Sequence, residues 1–527
     1  MKKLIVSNIK LDITDSEEKL PEALAKRKIF CEPEDILIVR KALDARDKDN
    51  IHYVYTVALD PAKSGRIRKG SGLSLADIKP YSLPESGSSG VSGRHVVIGS
   101  GPAGMFAGLI LAKAGYRPLI IERGQPVGQR QKTVEHFWAA GSLDPESNAC
   151  FGEGGAGTFS DGKLNTGIKD PDGRIRFILE TFARFGADRS VTYSNKPHVG
   201  SDVLAKVVAG IREEIIKLGG EYLFRTKLTA IIPGKPLTLQ LEGEGGSSNI
   251  EAESVILATG HSAHDIYHML SGLGAQMTQK PFAAGFRIEH LQSDINLAQY
   301  GERYAGMLPA ADYKLSHKSI TGKGVYTFCM CPGGYVVDTS TDSEGICING
   351  MSFSARNGRN ANSAVIAVVD ESDFGSDDIF AGLRYQKAIE KAAREAGGGV
   401  IPVQRLSDYL SGKPTPDFGK VLPDIKGSIR AGSVSGIFSD VINASIADGI
   451  KAFGQKIKCF DDEDAVLSGV ESRTSSPVKI LRGDNFESNI SGIFPCGEGA
   501  GYAGGITSAA ADGMKVAEEI IRRYRPC

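Results

Sequence analysis

The sequence predicts an α/β protein in which a nucleotide-binding domain with a parallel sheet carries an inserted α+β domain and follows a small N-terminal α+β module. Three observations support this prediction. A buried strand runs into a glycine-rich turn and a helix over residues 94–114. An acidic residue ends the next strand about twenty residues later, and a second strand–glycine–helix unit closes the chain.

The first unit reads Arg94-His-Val-Val-Ile-Gly-Ser-Gly-Pro-Ala-Gly104. Gly99 permits the sharp turn at the end of the strand, Gly101 leaves room for a pyrophosphate, and Gly104 lets the helix pack against the strand. The unpaired N–H groups at the start of that helix face the phosphates. This arrangement predicts a dinucleotide site.

Glu122 ends the strand that follows the helix. A carboxylate at this place accepts hydrogen bonds from a ribose diol, which completes the predicted unit.

Composition excludes several classes of protein. A chain of 527 residues is long enough for two or three domains, and its net charge of −1 gives no global attraction to nucleic acid or to an anionic membrane. No apolar run approaches the roughly 18 residues of a membrane span, and the apolar stretch at the start is too short for a signal peptide. We therefore expect a soluble cytoplasmic protein without a membrane partner.

Patterning along the chain predicts four regions. Residues 1–84 alternate as strands and one helix, and residues 85–93 are a Gly/Ser linker. The nucleotide-binding domain is assembled from residues 94–280 and 481–527. Residues 281–480 mix strands and helices and are predicted to be an inserted domain that covers the substrate.

The closing unit contains Gly497-Glu498 and a helix that begins near Gly505-Ile506-Thr507. We do not interpret its glycines as a second dinucleotide site, because the chain ends before another strand and acid. A flavin fits better: Glu498 accepts from ribityl hydroxyls, and the helix start stabilises negative charge at the edge of the reduced ring.

These motifs, together with Ala258-Thr259-Gly260, resemble in order those of the glutathione-reductase-type FAD fold. Within that superfamily the chain resembles a bacterial family of uncharacterised FAD-dependent dehydrogenases with a small N-terminal domain. The stretches that carry this likeness begin at Ile51, Gly152, Gly285, Cys329, Asn349 and Ser472. Glu498 departs from the aspartate that is usual in the superfamily.

The resemblance implies a Rossmann-like FAD-binding domain and FAD as the cofactor. It also implies that the segment 152–164 lies along the cofactor and that the strand at Leu228 lies against the adenine. The predicted cofactor-binding residues are Gly99, Gly101, Pro102, Ala103, Gly104, Glu122, Arg123, Gly155, Ala156, Ser160, Asp161, Gly162, Lys163, Leu164, Leu228, Ala258, Thr259, Gly260, Gly497, Glu498, Gly505, Ile506 and Thr507.

Eight cysteines are scattered without a CxxC pair or a metal-ligand spacing, so we expect reduced thiols and no metal site. Cys329 and Cys331 lie two residues apart on a predicted strand and differ from the CxxxxC of disulfide reductases. Their neighbours Phe328, Met330 and Pro332 supply no cation to stabilise a thiolate. Structural thiols are therefore favoured, and a redox relay with the flavin is left open.

Four polar residues are candidates for catalysis. Glu289 or His290 is a candidate acid or base near the flavin, and Arg287 or Arg473 a candidate cation for an anionic substrate. For each of them a structural role is the simpler alternative.

The combined prediction is an FAD-dependent oxidoreductase that transfers hydride from a small organic substrate through the flavin. Without a second nucleotide fingerprint, a dedicated NAD(P)H domain is not expected, although transient NAD(P)H visits to the flavin stay open. One alternative is an RNA-directed flavoprotein, since Ser472–Pro477 is similar to a stretch of tRNA-modifying flavoproteins. Another is a non-catalytic flavin-binding protein. Substrate, electron acceptor and oligomeric state are not legible from the sequence.

Overall fold

A computed structural model describes residues 2–61 and 72–526 of the chain. It contains a small N-terminal sheet, a mixed sheet that carries the predicted dinucleotide unit, and a largely antiparallel sheet from the middle of the chain. Within the described residues, no helix combines the length and the apolar character needed to cross a membrane.

The N-terminal module is a four-stranded antiparallel sheet in the order β2-β3-β1-β4, covered by one short helix. Apolar side chains of β1 and β3 alternate with polar ones, so a single face is buried against the helix. Its elements are β1 (Lys2–Asp12), α1 (Leu20–Ala25), β2 (Leu37–Asp44), β3 (His52–Leu59) and β4 (Leu73–Asp77). The module is joined to the rest of the protein by backbone pairing, because the Lys41 N–H donates to the Tyr193 carbonyl and the Asn195 N–H donates back to Lys41, each at 2.8 Å.

The Gly/Ser-rich segment 85–93 behaves differently from a free linker. The Gly87 N–H donates to the Ile521 carbonyl at 2.8 Å, and Ser89 pairs with Tyr524 in an isolated parallel bridge. Composition predicts flexibility here, but the exposed carbonyls at the end of the C-terminal helix offer partners that the sequence does not reveal. The segment is thereby fixed along the C-terminus.

The nucleotide-binding domain contains a seven-stranded sheet in the order β7-β6-β5-β10-β9-β8, with β23 also paired to β10. Its elements before the inserted domain are β5 (Arg94–Ile98), α2 (Pro102–Lys113), β6 (Leu119–Ile121), α3 (Val127–Ala140), α4 (Arg174–Arg184), α5 (Ser201–Lys217), β7 (Glu221–Leu223), β8 (Thr226–Ile232), β9 (Leu237–Gly243), β10 (Gly246–Leu257), α6 (His264–Gly272) and β11 (Met277–Gln279). Its elements after the inserted domain are β23 (Ile493–Pro495) and α12 (Ile506–Arg523).

Strand β10 joins the two halves of this sheet. Its first half pairs antiparallel with β9, and its second half pairs parallel with β5 on one side and with β23 on the other. Val255 lies opposite both Val96 and Ile493. The carboxyl ends of β5, β6, β10 and β23 therefore meet at one edge of the sheet, which is where open α/β sheets bind their ligands.

The inserted domain forms a seven-stranded sheet in the order β13-β14-β17-β12-β21-β18-β20 and a three-stranded sheet in the order β16-β15-β19. Its elements are β12 (Phe282–Leu291), α7 (Gln292–Tyr300), β13 (Ser316–Lys318), β14 (Gly324–Cys331), β15 (Tyr335–Asp338), β16 (Ile348–Met351), β17 (Asn360–Val369), α8 (Glu371–Phe374), α9 (Ala381–Gly397), β18 (Ile401–Arg405), α10 (Leu406–Leu410), β19 (Ile425–Lys426), β20 (Ile429–Ala431), α11 (Asp440–Gly454), β21 (Val466–Glu471) and β22 (Val478–Ile480). Because β22 pairs with β11, the chain leaves and re-enters the nucleotide-binding domain at adjacent strands.

The central strands β12 and β17 were not recognised as strands in the sequence. Both are buried on both faces along almost their whole length, and their polar residues, such as Arg287 and Asn362, are buried as well, so they lack the apolar–polar alternation that marks a half-exposed strand. They pair with each other over ten residues and form the middle of the inserted sheet.

Close packing of α12 on α2 yields a test of this fold. A Cβ at Gly513 of α12 would lie 2.0 Å from the Ala103 carbonyl oxygen, so Gly513→Ala forces the two helices apart. We expect a loss of about 1–3 kcal/mol, the usual scale of overpacking, seen as a lower melting temperature. The control is Gly128→Ala at an exposed position of α3, where a Cβ meets nothing within 4 Å. An equal or higher melting temperature for Gly513→Ala would contradict the described helix contact.

Candidate functional site

A cavity of about 600 Å³ lies where the carboxyl ends of β5, β6 and β10 meet the inserted domain. Its walls come from the glycine-rich turn before α2, the segment 150–167, the end of β10, the start of α12, and β14 with its neighbouring loops in the inserted domain. The sheet edge thus supplies one side of the cavity and the inserted domain the other.

Most of the predicted cofactor-binding residues line this one cavity. Those that reach it are Gly99, Gly101, Pro102, Ala103, Glu122, Arg123, Gly155, Ala156, Ser160, Asp161, Gly162, Lys163, Leu228, Ala258, Thr259, Gly260, Glu498, Gly505 and Ile506. Four predicted residues, Gly104, Leu164, Gly497 and Thr507, do not line it.

These four residues support the lining from behind. A Cβ at Gly104 would lie 1.9 Å from the Gly99 carbonyl oxygen, so only glycine lets α2 approach the turn. The Thr507 hydroxyl donates to the Leu164 carbonyl at 2.7 Å, which ties the start of α12 to the segment 150–167. The N–H of Gly497 donates to Asp512 Oδ2 at 2.8 Å.

Two helix N-termini face the cavity, which suits a ligand with a pyrophosphate and an electron-accepting ring. Gly101 and Pro102 lie at the start of α2, and Gly505 and Ile506 lie at the start of α12. Their unpaired N–H groups and positive dipole ends attract negative charge. The Gly101 Cα also lies against the backbone of Gly155, and the lack of side chains at both positions leaves the backbone open to a phosphate.

Glu122 is buried at the cavity wall and is held by four protein donors. Its Oε2 accepts from the Ser100 N–H and hydroxyl, each at 2.8 Å, and its Oε1 accepts from the N–H groups of Gly124 at 3.0 Å and Gly152 at 3.1 Å. The carboxylate therefore fixes the fingerprint turn against the segment 150–167. The sequence predicted the position of this acid but not its four hydrogen bonds to the turn and to the segment 150–167.

Arg130 of α3 organises the same segment and was missed in the sequence. Its fully buried guanidinium donates to the carbonyls of Asn148, Ala149, Gly152, Glu153 and Gly155 at 2.8–3.3 Å. Burial lowers its pKa to about 10, which leaves it charged at neutral pH. A lone arginine in an amphipathic helix carries no sequence signal that would distinguish it from a surface residue.

A buried ion pair between Arg482 and Asp512 supports the Gly497-Glu498 motif. Arg482 Nη2 lies 2.6 Å from Asp512 Oδ1, and the other oxygen of Asp512 accepts from Gly497. This pair fixes the turn that presents Glu498, whose Oε1 lies 3.4 Å from His261 Nδ1. Glu498 and His261 both line the cavity.

At the end of the cavity near β8, the lining suits an adenine. Arg123 lies over the Phe151 ring, 4.5 Å from its centre, and its guanidinium donates to Asp265 at 2.8 and 3.0 Å. Leu228 and Ile266 add apolar surface. A planar base is accommodated by such a combination of apolar side chains and a guanidinium plane.

At the opposite end, Asp161 joins the two domains. Lys163 Nζ lies 2.9 Å from Asp161 Oδ2, and Arg356 from the inserted domain donates to both oxygens of Asp161. Burial by itself would raise the pKa of Asp161, but the charges of Lys163 and Arg356 outweigh it and lower the pKa. Lys163 also donates to the Met330 carbonyl of β14.

Of the four catalytic candidates, Arg473 alone lines the cavity. It forms a two-point ion pair with Glu390 at 2.7 and 2.8 Å and donates to Thr341 Oγ1 at 2.9 Å. Arg287 lies behind the cavity wall. It pairs with Glu471 at 2.7 Å and donates to the carbonyl of Cys329, a wall residue, at 3.2 and 3.3 Å. Arg287 therefore supports the wall without reaching the cavity.

Glu289 and His290 do not reach the cavity, which argues against their predicted role as acid or base. Glu289 Oε1 accepts from Asn360 Nδ2 and from the Asp424 N–H, both at 2.9 Å, and burial raises its pKa to about 7. His290 Nε2 lies 2.7 Å from the Phe460 carbonyl, and burial lowers its pKa to about 4. Arg287, Glu289 and His290 are neighbours on β12, but none of them reaches the cavity, because β12 lies in the middle of the inserted sheet and these side chains are buried.

The cysteine pair on β14 has an environment that its flanking residues did not predict. Cys329 lines the cavity and has a left-handed backbone with φ of 42°, within an irregularity in the pairing of β14 with β17. The Cys331 thiol is buried and lies 3.2 Å from the Cys329 carbonyl oxygen. The expectation that no cation supports this pair is wrong, because Lys163 and Arg287 approach it from distant parts of the chain.

Comparison with known proteins is consistent with this geometry. A family model described as "FAD-dependent protein, C-terminal domain-like" matches residues 281–474, and one described as "Pyridine nucleotide-disulphide oxidoreductase" matches residues 93–297. A protein of Clostridium beijerinckii, named only as an uncharacterized protein, is 41% identical over 532 residues, covering 98% of both chains.

Solved flavoprotein structures are more distant. A triple mutant of the flavin-dependent brominase Bmp2 is 12% identical, with a TM-score of 0.36 over 81% of this chain and 79% of that one. A geranylgeranyl bacteriochlorophyll reductase-like protein of Thermoplasma acidophilum is 12% identical, with a TM-score of 0.36 over 82% and 78%.

The glycine turn gives a direct test of cofactor binding. A Cβ at Gly101 meets only the Gly155 Cα, at an ordinary 3.7 Å, so Gly101→Val is compatible with the fold while its side chain enters the cavity. We expect a folded protein that purifies with little or no FAD, measured as the ratio of flavin absorbance to protein. Full FAD content in this variant would place the cofactor elsewhere.

Loss of the buried acid should weaken the same site. Glu122→Ala removes the acceptor for four donors around the turn, so we expect FAD affinity to fall by about 1–3 kcal/mol, the scale of lost charge-assisted hydrogen bonds. Titration of apoprotein with FAD, followed by flavin fluorescence, measures the change. Unchanged affinity for FAD would show that Glu122 does not contribute to cofactor binding.

Proposed function

The chain belongs to the family of FAD-dependent proteins, and on that premise we propose that it is a dehydrogenase with a glutathione-reductase-type FAD domain. It would act on a small organic substrate by hydride transfer. The observation that carries this proposal is the arrangement of the cavity between the two domains. One wall presents the N-termini of α2 and α12, and the other presents charged side chains of the inserted domain. FAD supplies the hydride chemistry when bound.

The residues of the nucleotide-binding domain hold and shield the cofactor. Backbone N–H groups at the start of α2 receive the pyrophosphate, and Arg123 with Leu228 receives the adenosine end. Glu498 accepts hydrogen bonds from the ribityl hydroxyls, and the start of α12 stabilises negative charge on the ring. The inserted domain covers this assembly and excludes water.

The substrate end of the cavity favours an anion. Lys163, Lys196, Arg356 and Arg473 all line the cavity. Lys196 pairs with Asp312 and Arg473 with Glu390, whereas Lys163 and Arg356 share the carboxylate of Asp161. Lys314 also lines the cavity, is exposed, and has no acidic partner among the described residues. A carboxylate or phosphate of the substrate would complete the charge balance at Lys314.

The stretch Ser472–Pro477, which suggested an RNA-directed flavoprotein, is folded inward. The Ser472 hydroxyl donates to Glu390 at 2.5 Å, the Thr474 hydroxyl donates to the Ala283 carbonyl at 2.6 Å, and none of the six residues is exposed. The stretch therefore offers no exposed outer surface for phosphate contacts with an RNA, and hydride transfer from a small molecule through the flavin is the better proposal.

Anaerobic stopped-flow reduction tests the proposed activity. The purified holoprotein is mixed with NADH, with NADPH and with a panel of organic acids, and the flavin absorbance is followed. We expect at least one of these donors to reduce the flavin on the timescale of turnover. A flavin that dithionite reduces but that no donor reduces would favour a non-catalytic flavin-binding protein.

Lys314 gives a sharper test of the anionic substrate. Lys314→Ala removes an exposed charge without an acidic partner among the described residues, so the fold should be unaffected, while the KM for the anionic donor should rise about tenfold or more. The matched control is Lys318→Ala, an exposed lysine of β13 outside the cavity wall, which should behave as wild type. Equal KM values for the two variants would contradict an anion contact at Lys314.

A further inference from the structure

Cys329 and Cys331 form a polar cluster that the proposed hydride transfer does not use. Cys329 lies at the cavity wall, next to Met330, whose carbonyl accepts from Lys163. Cys331 lies directly behind Cys329 and is fully buried.

The backbone at the two cysteines departs from a regular strand. In a regular strand, residues two apart share a face but stay well separated. Here the pairing of β14 with β17 shifts between Phe328 and Cys331, and Cys329 takes a left-handed conformation that non-glycine residues seldom adopt. Such bulges re-aim side chains and cluster at functional sites.

The fold surrounds the pair with positive charge. The Arg287 guanidinium donates to the Cys329 carbonyl and lies 3.9 Å from Cys331 Sγ, and the Lys163 ammonium donates to the carbonyl of the intervening Met330. Glu471 opposes this effect from β21 but is itself paired with Arg287. The neighbouring Cys331 thiol, together with the charges of Lys163 and Arg287, lowers the pKa of the Cys329 thiol below its ordinary value.

We propose that Cys329 and Cys331 are a redox-active dithiol–disulfide pair that exchanges two electrons with the FAD bound in the same cavity. This inference rests on the proposed FAD-dependent oxidoreduction and adds a second redox centre to it. In the oxidising direction the Cys329–Cys331 S–S bond forms as the S–H bonds break, and the two electrons and two protons pass to oxidised FAD. In the reverse direction reduced FAD supplies two electrons and two protons, and the S–S bond is cleaved to two thiols.

The roles of the two sulfurs differ. Cys329 lines the cavity and its thiol has the lower pKa of the two, so it is the sulfur that meets the cofactor or an incoming disulfide. Burial and the neighbouring Cys329 raise the pKa of Cys331 well above its ordinary value, so it remains a thiol until Cys329 reacts and then closes the bond. Lys163 and Arg287 are positioning residues that stabilise the thiolate.

Counting electrons tests the pair without knowledge of the natural donor. Air-oxidised holoenzyme is titrated anaerobically with dithionite while the flavin absorbance is followed. We expect wild type to take up four electrons per FAD, and Cys329→Ser and Cys331→Ser to take up two. The control is Cys459→Ser, which changes a half-exposed thiol of the same domain outside the cavity wall and should keep the wild-type count.

Differential alkylation gives a readout that needs no variant. In air-oxidised holoenzyme the peptide that contains Cys329 and Cys331 should resist alkylation, and after anaerobic reduction it should take up two alkyl groups at these positions. In the reduced protein, the alkylation rate of Cys329 should rise at a pH below the ordinary thiol pKa, whereas that of Cys331 should rise above it.

A wild-type count of two electrons per FAD, with both cysteines alkylated in the air-oxidised holoenzyme, would overturn the proposal. That result would leave the proposed dehydrogenase untouched, because its own test is reduction of the flavin by a donor. Conversely, failure of every donor would not alter the electron count, since dithionite reduces the flavin and the disulfide directly.

Discussion

The site depends on the three pairings of strand β10. Its second half lies between β5 and β23, so the fingerprint turn at Gly99 and the closing turn at Gly497 come from opposite ends of the domain and open at the same sheet edge. Because parallel strands end together, this pairing alone places the starts of α2 and α12 around one cavity. The inserted domain leaves and returns at the paired strands β11 and β22, beside this edge, and can therefore cover the cavity.

Buried charges fix the loops that the sheet leaves free. Arg130 binds five carbonyls of the segment 148–155, Glu122 binds four donors around the fingerprint turn, and Asp512 binds both Arg482 and the Gly497 N–H. A glycine-rich backbone has many conformations to lose, so a cofactor site built from it needs such fixed partners. These residues hold the glycine-rich backbone in one conformation. The cost of burying each charged side chain is offset by its hydrogen bonds.

The inserted domain decides what chemistry reaches the cofactor. Asp161 holds Lys163 from one domain and Arg356 from the other, so this ion pair is at once a domain contact and a part of the substrate end. Through Lys163 the same contact extends to β14 and its two cysteines.

The sequence by itself determined the mixed α/β fold, the dinucleotide unit and the cofactor. It could do so because a glycine fingerprint acts locally: the turn, the helix start and the strand-ending Glu122 are separated by few residues, and their chemistry is set by backbone geometry. Burial on both faces of β12 and β17 hid the inserted sheet, since full burial removes the alternation of apolar and polar residues. Only the tertiary structure decided which charged groups meet. In the folded protein Glu289 and His290 lie away from the cavity, and Lys163 and Arg287 lie close to Cys329. The sequence does not show the second placement, because the charges that set a thiol pKa act through space and not along the chain.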